Sequence, residues 1–142
     1  MSESFIRHAG KAGVYHLPAD RRATLESSAG EADLACMAVA IPRKASLAGL
    51  LKDIGNALNF PDWYGANLDA LYDCLTDPEA LPGRGRVLFL TGTSRLLRSD
   101  PEGYATLIEV FQAAASDLAR QGSPFWVMLD SPADGIPELP TA

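Results

Sequence analysis

The sequence predicts an α/β fold with a small, mostly parallel sheet, and three observations predict it. The runs at 35–41, 86–90 and 125–129 are apolar but for the leading Arg86 and show no alternating polar face, as strands covered on both sides require. Between them lie stretches whose apolar residues recur at helical spacing. Strands separated by helices in this order pack as a parallel sheet with crossovers of one hand. The 142 residues and 47% hydrophobic composition fit one domain that can bury a sizeable core.

Residues 1–34 mix Gly, Ser, Arg and Glu around one short apolar stretch at 13–17 and carry no motif, so they read as an N-terminal extension. The run ACMAVAI at 35–41, closed by Pro42, reads as a buried first strand. Ser46 can cap a helix in which Leu47, Leu50, Leu51, Ile54 and Leu58 share a face, and Pro61 forbids its continuation. A loop follows with the adjacent aromatics Trp63 and Tyr64. Asn67 is then a natural cap for a helix over 68–76. Asp77-Pro and Leu81-Pro-Gly punctuate the next loop. The second and third strands, 86–90 and 125–129, flank a short turn at 94–99 and a long helix. Pro101 opens that helix, Tyr104, Leu107, Ile108, Phe111, Ala115 and Leu118 line its inner face, and Gly122 ends it. The expected architecture is thus a three-stranded parallel sheet packed with helices over 35–130. The last segment, 131–142, has three prolines in twelve residues and reads as a tail that lies over the surface or is disordered.

Composition narrows the function classes. The N-terminus has no apolar segment of signal-peptide type and no run is long enough to span a bilayer, so the expected location is the cytoplasm and no membrane partner is expected. Cys36 and Cys74 form neither a disulfide framework nor a metal-ligand pattern, and no metal or cofactor is expected. The net charge of −6 arises in one place: residues 53–83 hold six acids and no Lys or Arg, while twelve acids balance twelve bases elsewhere. Direct contact with nucleic acid, which needs clustered Lys and Arg, is therefore not expected. A cationic protein surface suits the segment better.

The arrangement of the acids separates a binding face from a solubilising one. At 100° per residue, Leu68, Leu71 and Leu75 form one stripe, while Asp69, Asp73, Thr76 and Asp77 take the other side with Tyr72 on the border. Like charges at i, i+4 cost about 0.2–0.5 kcal/mol per pair. Aspartates repeated at that spacing beside Trp63, Tyr64 and Tyr72 are mildly unfavourable in the free chain, but they have the composition of an interface hot spot. Local structural roles remain open for three residues: Asn67 as a cap alone, Cys74 as helix packing, and Gly65 as a positive-φ turn residue.

Residues 61–76, PDWYGANLDALYDCLT, resemble the signature segment of the barstar family, intracellular inhibitors of the ribonuclease barnase. Tyr64, Gly65, Asn67, Leu68, Asp69, Ala70, Leu71, Asp73, Cys74, Leu75 and Thr76 match the family pattern, and Trp63 and Tyr72 exchange one aromatic for another. The resemblance implies that the second helix and its preceding loop enter a nuclease cleft built from Arg, Lys and His. Asp73 would stand in for an RNA phosphate, with Asp69 as a second charge. Trp63 and Tyr64 would cover the rim or stack on a catalytic imidazole, Gly65 would let the backbone approach closely, and Asn67 would hold the loop. Tyr72 and Thr76 belong to the same contact face. The expected partner is a ribonuclease or another cationic protein, and the free chain is expected to be a monomer.

Two matched positions depart from the family. Ala113 stands where the long helix should supply an acidic contact, with Asp117 one turn further on, and Ala66 replaces the glutamate after the loop glycine. A binding module that keeps the fold without inhibiting a nuclease is the alternative these changes favour. An enzyme using Asp69 and Asp73 as acid and base lacks support. The only histidines, His8 and His16, lie in the extension, and no Gly-rich phosphate loop is present.

Overall fold

The computed structural model of the protein describes residues 4–77 and 85–140. The loop expected from Asp77-Pro through Leu81-Pro-Gly falls mostly outside them. Strands β1 (Val14–His16), β2 (Ala35–Ala40), β3 (Arg86–Thr91) and β4 (Phe125–Leu129) form one parallel sheet in the order β1-β4-β3-β2. Helix α1 (Arg22–Glu31) lies between β1 and β2, α2 (Leu47–Ala57) and α3 (Leu68–Thr76) between β2 and β3, and α4 (Thr93–Ser99) and α5 (Pro101–Arg120) between β3 and β4.

The sheet has four strands, not the expected three. The added strand comes from the N-terminal segment, where Val14 pairs with Val127 and His16 with Leu129. Three residues with a single fully buried apolar side chain carry no periodicity of their own, so pairing with β4 imposes their extended conformation. A second correction concerns β2, which was expected to be buried but stands at the sheet edge with Ala35, Cys36, Ala38 and Ala40 exposed. A run of methyl-sized side chains reads as buried by type, yet each loses only about 0.8 kcal/mol per exposed carbon.

Alternation along the strands divides the core in two. Leu88, Leu90, Val127 and Leu129 face α2, α3 and α5, whose Leu50, Ile54, Leu71 and Phe111 fill that side. Val87, Phe89, Trp126 and Met128 face the opposite way, onto Leu25 and Ala29 of α1 and Ile6. The chain thus crosses from β1 to β2 over one face and steps back to β3 and β4 over the other. Opposite directions on opposite faces keep a single crossover hand. The indole of Trp126 donates from Nε1 to the Ile6 carbonyl at 2.8 Å, which satisfies its polar atom inside the second core. Leu139, in the C-terminal segment, is also buried there.

Caps fix the helices that position the site. The Ser46 hydroxyl accepts from Gly49 N at 3.1 Å at the start of α2, and Asp100 Oδ1 accepts from Gly103 N at 2.9 Å at the start of α5. At the start of α4, Asp130 accepts from the Gly92 N–H at 2.7 Å and from the Thr93 N–H and hydroxyl at 3.0 and 2.8 Å. No helix among the described residues is long and apolar enough to cross a membrane.

Candidate partner-binding surface

The loop before α3 is held from beneath. Helix α2 ends with Asn59 at φ 55° and with Phe60 N–H donating to the Gly55 carbonyl at 3.0 Å. Tyr64 N–H then closes a turn on the Pro61 carbonyl at 2.9 Å. The Tyr64 ring packs edge-to-face on Phe60, with centroids 4.8 Å apart, and its hydroxyl donates to the Leu51 carbonyl at 2.7 Å. Burial, and secondarily the neighbouring Cys74, push the phenol up to about 12. Tyr64 is therefore half-buried and turned inward. Trp63 beside it is 54% exposed.

Gly65 is exposed and does not take the positive-φ geometry left open for it; that conformation falls on Ala66, at φ 51°. A β-carbon at Gly65 would instead stand 3.0 Å from the Asn67 side-chain nitrogen. Asn67 is the expected cap: its Oδ1 accepts from Ala70 N at 2.8 Å, which starts α3 at Leu68.

Helix α3 buries Leu71, Cys74 and Leu75 and presents Asp69 and Asp73 to solvent. Asp69 lies in the first turn, where the exposed N–H groups favour a carboxylate. Tyr72 is half-buried against the core, and the Thr76 hydroxyl donates to the Tyr72 carbonyl at 2.8 Å. Burial raises the Cys74 thiol, and the charges of Asp73 and Asp77 raise it further, so it stays protonated packing material. Asp77 was expected as a third rung on the helix. It is the C-cap residue in extended conformation, so only Asp69 and Asp73 share the helical face.

An open groove of about 530 Å³ runs between α3 and α5. Asp69, Tyr72 and Asp73 line one wall, and Thr106, Glu109 and Ala113 line the other. Glu109 is the residue that sequence reasoning missed. It is exposed one helical turn before Ala113, and the i−4 spacing was the signal that could have found it. Asp117, one turn the other way, is paired with Arg120. Asp69, Asp73 and Glu109 are thus acidic groups open to solvent around one concavity, and Trp63 stands exposed in the loop before α3, which Tyr64 and Asn67 hold in place. Among the described residues no group of three or more His, Cys, Asp or Glu could hold a metal ion.

Comparison with known proteins follows the same outline. The family described as Barstar (barnase inhibitor) matches residues 34–130. A protein of Bacillus subtilis (strain 168) with the name "Putative ribonuclease inhibitor YrdF" is 60% identical over 30 residues, a stretch that covers 21% of this chain and 33% of that relative. The family match begins one residue before β2, so β1 and α1 lie outside it.

Proposed function

This chain belongs to the barstar family, and from that premise we propose that it inhibits a ribonuclease by inserting α3 and the loop before it into a cationic active-site cleft. One observation carries the reading beyond the family match: Asp69 and Asp73 stand exposed on one helical face beside a groove, and Trp63 stands exposed in the loop that leads into that helix. A cleft whose Arg, Lys and His hold RNA phosphates offers the same potential to a carboxylate. Asp73 occupies the centre and takes the place of a phosphate, and Asp69 adds a second charge. Trp63 covers the rim. Tyr64, whose hydroxyl is engaged by Leu51, acts by holding the loop, together with Asn67. Gly65 allows close backbone approach, and Tyr72 and Thr76 complete the contact face. Glu109 supplies from α5 the acid that Ala113 lacks, set one turn nearer the N-terminus of that helix.

The experiment is affinity capture with the purified chain, followed by an inhibition assay on any ribonuclease recovered and a titration of Asp73→Ala. Capture of a nuclease whose activity falls in proportion to added chain supports the proposal, and unchanged affinity in Asp73→Ala refutes it. A partner that binds through Asp73 yet keeps its activity, or has none on RNA, supports the alternative of a non-inhibitory binding module. The departure at Ala113 gives that alternative its footing.

A further inference from the structure

The carboxyl ends of the strands hold a recess that the ribonuclease reading does not use. In an open α/β sheet, ligands bind outside those ends, where neighbouring connections leave for opposite faces of the sheet. Here the divergence falls across β4: β1 leads into α1 on one face, and β3 leads into α4 and α5 on the other. A recess of about 160 Å³ opens at that place, bordered by Leu17 after β1, Phe89 and Thr91 of β3, and Met128 and Asp130 at the end of β4. Leu17, Phe89 and Met128 are buried and give it apolar walls. Two charged groups of opposite sign stand beside them. The Arg22 guanidinium lies over the Phe89 ring, 4.6 Å from its centroid, and its Nε donates to Glu26 at 2.8 Å. Its two terminal nitrogens make no hydrogen bond among the described residues and keep the fork that suits a carboxylate. On the exposed Asp130, Oδ1 accepts from the Thr93 N–H and hydroxyl and Oδ2 from the Gly92 N–H, which leaves Oδ2 a lone pair for a further donor.

We propose that this recess binds a free apolar α-amino acid, with its carboxylate on Arg22, its ammonium on Asp130 and its side chain against Phe89 and Met128. Volume sets the size of the ligand. An enclosed cavity of about 150 Å³ holds benzene, so a side chain of about four to six carbons fits while the charged groups stay at the mouth. Charge sets its class. Glu26 and Asp130 flank a single arginine, so a lone carboxylate meets more negative than positive charge, and a lone amine leaves the Arg22 fork empty. An α-amino acid carries both charges on one carbon and answers both groups. No motif marks residues 17–22 in the sequence, because the rest of the recess comes from β3 and β4, far along the chain. The recess lies on the α1 side of the sheet and the α3 groove on the other, so this binding is independent of the ribonuclease reading.

Titration of the full chain with L-leucine, followed by heteronuclear NMR, tests it. Isocaproate and isoamylamine serve as probes that keep the apolar body and lack the ammonium or the carboxylate. L-Leucine is expected to shift the amide signals of Leu17, Thr91 and Asp130 saturably. Each analogue binds at least about ten-fold more weakly, as the loss of one charge-assisted hydrogen bond requires. Arg22→Gln weakens L-leucine by a similar factor while circular dichroism stays that of the parent. No saturable shift through the millimolar range overturns the proposal, and so do shifts confined to residues away from the recess. Isocaproate or isoamylamine binding as tightly as L-leucine overturns the amino-acid class, a comparison made on the parent chain whether or not Arg22→Gln folds.

Discussion

The ring of Tyr64 occupies the space that a β-carbon on Gly55 would need: such an atom would stand 2.5 Å from Cε2 and 2.7 Å from Cδ2. A glycine in the last turn of α2 thereby decides where Tyr64 of the following loop sits, six residues past the C-cap Leu58. Gly55→Ala gains about 1 kcal/mol of helix propensity and incurs about 1–3 kcal/mol of overpacking. Its melting temperature is therefore expected to change little while partner affinity drops, because the ring and loop must move. Calorimetry beside a binding titration separates the two effects. Tyr64→Phe is expected to be milder, costing about 0.5–1.5 kcal/mol of stability for the lost bond to Leu51.

Asp73→Ala is expected to weaken binding by at least about 2 kcal/mol, the threshold of a hot-spot residue. Glu109→Gln is expected to act differently, since a carboxylate at the wall of an open groove contributes mainly to steering. Stopped-flow mixing should show a lower association rate with little change in dissociation, and added salt should erase the difference. A Glu109→Gln chain with the parent's association rate at low salt would remove Glu109 from the interface.

Ala66 holds φ 51° without being glycine. The left-handed region costs a residue with a β-carbon about 1–2 kcal/mol. Ala66→Gly should relieve part of that cost and raise the denaturation midpoint in urea, by an amount reduced through the lost contact of its methyl group with the core. An unchanged or lowered midpoint would mean that the methyl contact outweighs the backbone strain.

For Asp130, burial alone would raise the carboxyl. The Gly92 and Thr93 N–H groups and the Thr93 hydroxyl outweigh it and hold the group below its ordinary value of 3.8. A depressed folded-state value means stability that is present above the unfolded value and lost as pH falls through the folded one. Asp130→Asn is expected to cost about 0.5–2 kcal/mol near neutral pH, as for lost helix caps. The gap from the parent should close on acidification below about pH 4. Thermal melts of both chains from neutral to acidic pH check it.

The elements with strong periodicity or capping chemistry were legible in the sequence. Ser46, Asn67, Pro101 and Gly122 bound α2, α3 and α5 where local hydrogen bonding predicts, because a cap acts within one turn. The apolar runs of β3 and β4 are buried as expected. What was not legible depends on contacts distant in sequence. Strand β1 exists through its pairing with β4, more than a hundred residues later. The edge position of β2 follows from strand order, which residue type does not encode. At the candidate site, the exposure of Asp69 and Asp73 on one face followed from helical phase, but the inward turn of Tyr64 depends on a glycine nine residues earlier, and Glu109 lines the groove through the packing of α5 on α3.

The sequence holds two tryptophans, and the fold gives them opposite surroundings. Trp126 is 1% exposed and hydrogen-bonded to the N-terminal segment, and Trp63 is 54% exposed in the loop before α3. Indole emission follows the polarity around the ring, so loosening of the layer beneath the sheet and a partner seated on the loop before α3 shift different fluorophores. A Trp63→Phe chain would report unfolding alone. Subtracting its spectrum from the parent's would leave a label-free optical signal for partner engagement.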